Sequence, residues 1–145
     1  MLYDDIEDPD STSPAELRAD YVAELAAVVE THGVDSVADE TGVDRETIAV
    51  LAEEDAGVAD ELTLEDAAAI AALADEAPAQ DAIVAEVRDN LLMGMTTAVL
   101  DVDTIGAEID ADMDGKQVHQ KVEGRAPMTL TEYALLHHFI SSRQR

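Results

Sequence analysis

The chain has no cysteine, no tryptophan and few aromatic residues, since Phe139 and three tyrosines are the whole of that set. Without cysteine it can form no disulfide, no thiolate zinc site and no thiol nucleophile. No apolar run approaches the roughly 18 residues that a membrane span requires. The first residues also have neither the basic start nor the apolar stretch of a secretory signal. These absences predict a soluble cytoplasmic protein that does not enter a membrane.

Basic residues are scarce as well. Among 145 residues, 8 lysines and arginines stand against 34 aspartates and glutamates, which gives a net charge of −26. Apolar residues still make up 47% of the chain, so a folded core is favoured over disorder. The composition resembles that of proteins from extreme halophiles, because at molar salt the Debye length falls to about 3 Å and a carboxylate shell stops repelling itself. Acidity alone therefore does not indicate a basic partner.

The charge is unevenly distributed along the chain. Residues 1–114 contain 3 basic and 32 acidic residues, whereas residues 115–145 contain 5 basic and 2 acidic ones. Adaptation to salt alone would not require one end of the chain to have so few acidic residues. The asymmetry therefore points to a function for the C-terminal segment.

An internal repeat is visible when the chain is compared with itself. At an offset of 68, residues 34–40 (VDSVADE) match residues 102–108 (VDTIGAE). At an offset of 66, residues 62–66 (LTLED) match residues 128–132 (MTLTE). We therefore predict two tandem units, residues 13–77 and residues 80–143, preceded by an acidic, flexible segment, residues 1–12.

Each unit is predicted to contain four helices. Apolar residues recur at helical spacing, and no stretch alternates long enough to form a strand. Ser13, Asp44 and Thr63 are the predicted N-caps of the first unit, and Thr129 is one of the second. The second unit is expected to have helices over residues 80–100, 104–109 and 114–123, and a last helix after Thr129. The predicted fold class is all-α.

The second and third helices of each unit resemble a helix-turn-helix. In residues 37–48 (VADETGVDRETI), Ala38 lets the two helices approach, Gly42 makes the turn and Ile48 points inward. Each unit thus resembles the compact helical domain of the phage-repressor type of regulator. The second unit departs from that pattern, since Asp110 replaces the turn glycine and Gly115 falls at the start of the third helix. The whole chain also resembles a family of small acidic haloarchaeal proteins, and this resemblance implies no function.

The third helix of the second unit carries the residue types that read DNA. At about 100° per residue, its donors share one arc opposite Val118 and Val122. Glutamines suit base edges, and lysine and arginine suit phosphates. The predicted DNA-binding residues are Lys116, Gln117, Gln120, Lys121 and Arg125. In the first unit the corresponding arc carries Glu46, Glu53 and Glu54, which would repel phosphate.

Two functions remain open at this point. The leading prediction is a transcriptional regulator that binds double-stranded DNA through the second unit. The alternative is a non-catalytic interaction module whose basic end docks onto an acidic partner, either another protein or a second copy of the chain in a homodimer. No nucleophile constellation, glycine-rich phosphate loop or cofactor motif stands out, so we expect neither an enzyme nor a cofactor.

Two further patterns are interpreted as structural rather than metal-binding. Residues 110–115 (DADMDG) copy the first half of an EF-hand loop, but Lys121 stands where the closing acid is needed. We expect a turn with helix caps, although the sequence leaves open weak cation binding by Asp110, Asp112 and Asp114. His137 and His138 are adjacent and point about 100° apart on a helix, so they cannot share one metal.

Overall fold

The computed structural model describes residues 2–4, 6–109 and 111–144, and within these ranges the regular secondary structure is helical. Two 3-10 helices occur at Pro9–Ser11 and Ala56–Asp60. The predicted all-α class is confirmed for this part of the chain. Its α-helices are α1 (Pro14–His32), α2 (Val34–Thr41), α3 (Arg45–Ala52), α4 (Leu64–Ala71), α5 (Gln80–Thr97), α6 (Val102–Glu108), α7 (Gly115–Val122) and α8 (Leu130–Arg143). None of these helices is both long enough and apolar enough to cross a membrane.

The predicted N-caps are confirmed. The side chains of Ser13, Asp44, Thr63 and Thr129 each accept a hydrogen bond from a backbone amide in the first turn of the following helix. Such bonds satisfy amides that have no partner inside the helix. Gly42 ends α2 with φ 76°, in the left-handed region that glycine adopts without steric cost.

The Ala56–Asp60 3-10 helix was not predicted. Its acidic and glycine-containing sequence is typical of a plain loop, yet Val58 and Ala59 are fully buried. Asp55 caps the segment by accepting a hydrogen bond from the Gly57 amide. The loop between α3 and α4 is thus part of the core.

One hydrophobic core extends through both halves of the chain and includes buried residues from α1 to α8. Between the halves, α1 packs on α8, and α4 packs on α5. In the sequence repeat α1 corresponds to α5 and α4 to α8. The two cross-packings are therefore equivalent to each other, as in a two-fold dimer.

A short antiparallel bridge joins the two matched blocks of the repeat. The Leu64 amide donates to the Met128 carbonyl at 2.7 Å, and the Leu130 amide donates to the Leu62 carbonyl at 2.8 Å. These residues are the ones that the offset of 66 aligns. The bridge is therefore locally symmetric about Thr63 and Thr129.

The N-terminal segment, which was expected to be flexible, lies against α8 in the part that the structure describes. Leu2 is 1% exposed, and its carbonyl accepts a hydrogen bond from the Tyr133 hydroxyl at 2.8 Å. The His138 Nε2 atom lies 2.9 Å from the Pro9 carbonyl and 3.1 Å from the Thr12 carbonyl. A single buried leucine within an acidic run gives too weak a sequence signal to predict this contact.

Candidate nucleic-acid interface

Two glycines allow α7 to lie directly against α6. A Cβ atom on Gly106 would stand 2.7 Å from the Gly115 backbone nitrogen. A Cβ atom on Gly115 would stand 3.0 Å from the Asp103 Cα atom. Gly115, which looked like a departure from the helix-turn-helix pattern, is therefore the residue that brings the first turn of α7 onto α6.

The connections inside the two helix pairs differ in length. Residues 42–44 join α2 to α3, and residues 109–114 join α6 to α7. A helix-turn-helix typically has a turn of about 3–4 residues, so the first connection fits that pattern and the second is longer. Asp110, which the sequence comparison placed at the position of the turn glycine, lies outside the described ranges.

The inward side of α7 is fixed by its valines and by its N-cap. Val118 and Val122 are 0% and 1% exposed. Asp114 accepts from the Gln117 amide at 2.8 Å, and the Gln117 side-chain oxygen accepts from the Asp114 amide at 2.9 Å. Because this capping box uses the side-chain oxygen of Gln117, the side-chain NH₂ group of Gln117 remains to donate a hydrogen bond to a ligand.

Lys121 is separated from the other predicted contact residues. Its ammonium pairs with the Glu132 carboxylate on α8, and the two side chains are only 18% and 21% exposed. Glu132 also accepts a hydrogen bond from the Thr129 amide through its second oxygen. Lys121 thus ties α7 to the start of α8.

The four remaining predicted residues, Lys116, Gln117, Gln120 and Arg125, form what we call the α7 face. Lys116 and Gln117 are exposed, and Gln120 is half-buried. Lys116 has no hydrogen-bond or ion-pair partner among the described residues. The Arg125 side chain is 71% exposed and its guanidinium lies 3.5 Å from the Glu123 carboxylate.

The surface around the α7 face is mostly acidic. Asp112, Asp114 and Glu123 are exposed at its borders. Glu123 also contacts His119 Nε2 at 3.0 Å. The α7 face therefore combines two cations, Lys116 and Arg125, with exposed carboxylates nearby in the sequence.

The corresponding face of α3 is acidic, as predicted. Glu46, Glu53 and Glu54 are exposed. Arg45, at the start of the helix, pairs with the exposed Asp35 carboxylate on α2. The α3 surface therefore presents carboxylates where α7 presents donors.

The acidic loop before α7 is used for structure. Asp114 caps α7, and Met113 is 5% exposed in the core. Asp112 is exposed, and Asp110 lies outside the described ranges. Across the residues that are described, no group of three or more histidines and carboxylates is placed to hold a metal ion.

A buried cluster of aromatic rings joins α1 to α8. The Tyr21 hydroxyl lies 2.9 Å from His137 Nδ1, and the Tyr133 ring stacks on both rings at centroid distances of 5.6 and 5.1 Å. Burial raises the pKa of Tyr21 well above its ordinary value of 10.0. His137 is 6% exposed and His138 faces the N-terminal segment, so the adjacent histidines have separate structural roles.

Residues 17–143 match the model of a family of unknown function, DUF5791, and the chain belongs to that family. No curated protein and no solved structure matches the chain.

Proposed function

We propose that this member of the DUF5791 family is a DNA-associated regulator in which α7 enters a groove of double-stranded DNA. The observation that carries this function is the two-sided character of α7. Val118 and Val122 are buried, while Lys116 and Gln117 are exposed and Gln120 is half-buried. A helix that reads a DNA groove needs one apolar side packed against its own domain and an exposed polar side that can reach the bases.

The residues of the α7 face have two kinds of role. Lys116 and Arg125 contact phosphates and fix the position of the helix on the duplex. Gln120 can pair with adenine through its amide oxygen and NH₂ group, and Gln117, whose oxygen is held by the Asp114 amide, donates its NH₂ group to a base acceptor. Lys121 is not among the contacts, because its pairing with Glu132 holds it against α8.

The proposed architecture consists of two four-helix units, residues 13–77 and 80–143, each with a helix-turn-helix-like pair. The pairs are α2–α3 and α6–α7. The short turn through Gly42 and the close approach at Gly106 support this assignment. The second unit reads DNA, and the first has no cationic face with which to do so.

The small number of cations sets the expected salt dependence. Two phosphate contacts, from Lys116 and Arg125, give a slope of log affinity against log salt of about −2. A tenfold increase in salt then weakens binding about 100-fold, far less than for a protein with many phosphate contacts. Such a protein retains DNA in concentrated salt when base contacts supply the rest of the affinity.

The test is retention of genomic DNA fragments by the full chain in molar KCl. We expect discrete fragments to be enriched by the wild type and lost with Lys116→Glu, because a carboxylate then faces phosphate. Arg45→Glu is the matched control, since it makes the same change of charge on the exposed start of α3. It should leave the enriched fragments unchanged.

Circular dichroism of each variant establishes that it is folded. Equal loss of DNA with both variants would mean that only net charge matters, and would contradict a specific role for α7. A folded wild type that enriches no fragment would contradict DNA binding altogether.

A second candidate is a non-catalytic module that docks an acidic protein segment. It is favoured by a groove of about 410 Å³ between α5 and α7, which is lined by Ala85, Leu92 and Val122, by Arg88 and Arg125, and by the carboxylates of Asp89 and Glu123. An apolar floor with charges of both signs beside it suits a peptide that has apolar side chains and an acidic side chain placed to pair with Arg125. This function would be favoured if the wild type retained no DNA but bound one protein partner, and if a substitution of Arg125 abolished that binding.

A further inference from the structure

The two halves of the chain are joined as the two subunits of a symmetric dimer would be. The antiparallel bridge pairs residues 62–64 with residues 128–130, which are equivalent in the repeat. Helix α1 packs on α8 and helix α4 packs on α5 by the same relation. The surfaces that a two-fold dimer of such units would use are therefore already covered within one chain.

Side chains connect both of these equivalent interfaces. Between α1 and α8, the Tyr21 hydroxyl lies 2.9 Å from His137 Nδ1 in the core. Between α5 and α4, the Arg88 guanidinium donates to the Glu65 carboxylate at 2.6 Å. Polar contacts of this kind fix the relative placement of the two halves.

The two halves differ in the residues that would meet DNA. Asp44 and Asp114 are the N-caps of α3 and α7, so positions can be compared by counting from them. The position of Lys116 is then occupied by Glu46, and that of Arg125 by Asp55. Both phosphate-contacting cations of one half are thus carboxylates in the other.

A third pair of equivalent positions also differs in its capacity to bind DNA. The position of Gln120 is occupied by Val50, which has no hydrogen-bonding group to offer a base. Val118 and Ile48, by contrast, correspond and are both 0% exposed. The two helices thus share the buried position of Ile48 and Val118, while the positions of Lys116 and Arg125 are reversed in charge.

Resting on the proposed function, we infer that one chain reads one asymmetric block of DNA sequence through α7 alone. A repressor dimer binds two related half-sites because two identical helices contact the duplex. Here the second helix, α3, repels phosphate, and the surface for pairing with another copy is covered. The target is accordingly a non-palindromic duplex that holds a single chain.

The probe is a pool of short random-sequence duplexes, selected by the full chain in molar KCl. Sequencing gives the selected motif, and light scattering of the purified complex gives the number of chains per duplex. We expect one block without inverted symmetry and one chain on each duplex. An inverted repeat bound by two chains would overturn the single-chain target and leave DNA binding itself intact.

A double variant tests whether α3 takes part. Glu46→Gln/Asp55→Asn removes the two charges that stand at the positions of Lys116 and Arg125, and asparagine keeps the capping oxygen that Asp55 supplies to the Gly57 amide. The selected motif should be unchanged. A motif that lengthens or shifts in this variant would show that α3 contacts bases, which overturns the inference. If no duplex is selected by any folded form, the proposed function fails as well.

Discussion

Lys121 and Lys116 stand on the same arc of α7, but the fold uses them differently. Lys116 projects into solvent, whereas Lys121 is 18% exposed against Glu132. A helical wheel places both side chains on the polar side of α7. It carries no information on which neighbouring helix covers part of that side, so it could not show that Lys116 is exposed and Lys121 is paired with Glu132.

Lys121→Ala should lower the free energy of unfolding by about 1–2 kcal/mol, between the values for exposed and fully buried pairs. The loss follows because the largely buried Glu132 carboxylate would lose its cation. Lys116→Ala is the control and should change stability by less than about 0.5 kcal/mol, as exposed substitutions usually do. Denaturant unfolding in molar KCl measures both. Equal effects would contradict the assignment of Lys121 to structure.

Tyr21 should make the protein lose stability at alkaline pH. Below its ordinary pKa of 10.0 the phenol is protonated in both the folded and the unfolded chain. Above that value the unfolded chain releases the proton while the buried Tyr21 keeps it, so unfolding becomes more favourable as pH rises. The measurement is the free energy of unfolding against pH for the wild type and Tyr21→Phe.

The phenylalanine variant lacks the hydrogen bond to His137, so it should begin about 1 kcal/mol less stable near neutral pH. It also lacks the titrating group. Its stability should therefore fall less steeply than that of the wild type above pH 10. Parallel curves would mean that Tyr21 does not keep its proton in the folded state.

At the scale of the helices, local sequence signals predicted the all-α class and the caps of four helices. Ser13, Asp44, Thr63 and Thr129 were identified as caps because the hydrogen bond of an N-cap is made within one helical turn. The connection before α7 was predicted at residues 110–113 and is found at residues 109–114. The contacts of Lys121 depend on α8 and could not be predicted from α7 itself.

Gly106→Ala should push α7 away from α6. The new Cβ atom would lie 2.7 Å from the Gly115 backbone nitrogen, and backbone cannot move aside as a flexible side chain can. We expect a loss of about 1–3 kcal/mol in unfolding free energy, as in other overpacked sites, together with weaker DNA retention. Ala107→Ser, an exposed change on the same helix, is the control. A fully stable Gly106→Ala variant would contradict the close packing.

At the scale of the whole molecule, stability should rise with salt. The net charge of −26 repels itself in dilute buffer, and the Debye length falls from about 10 Å at 0.1 M to about 3 Å at 1 M salt. We expect the melting temperature to increase over this range of KCl. Asp39→Asn/Glu40→Gln/Glu53→Gln removes three exposed charges and should reduce the increase.

If the variant and the wild type gained equally from salt, screening of these carboxylates would not be the cause. The stabilisation would then come from a general effect of salt on apolar burial. Sucrose at matched osmolality separates the two causes further, because it strengthens burial without screening charge.

The bridge between Thr63 and Thr129 has a consequence for how such a protein can evolve. In a dimer of identical subunits, every substitution occurs in both copies, so a helix that gains a cation gains it twice. Within one chain, a mutation at Glu46 is not repeated at Lys116. Covalent linkage therefore lets the two halves keep buried residues such as Ile48 and Val118 at one position while their exposed residues diverge independently under selection.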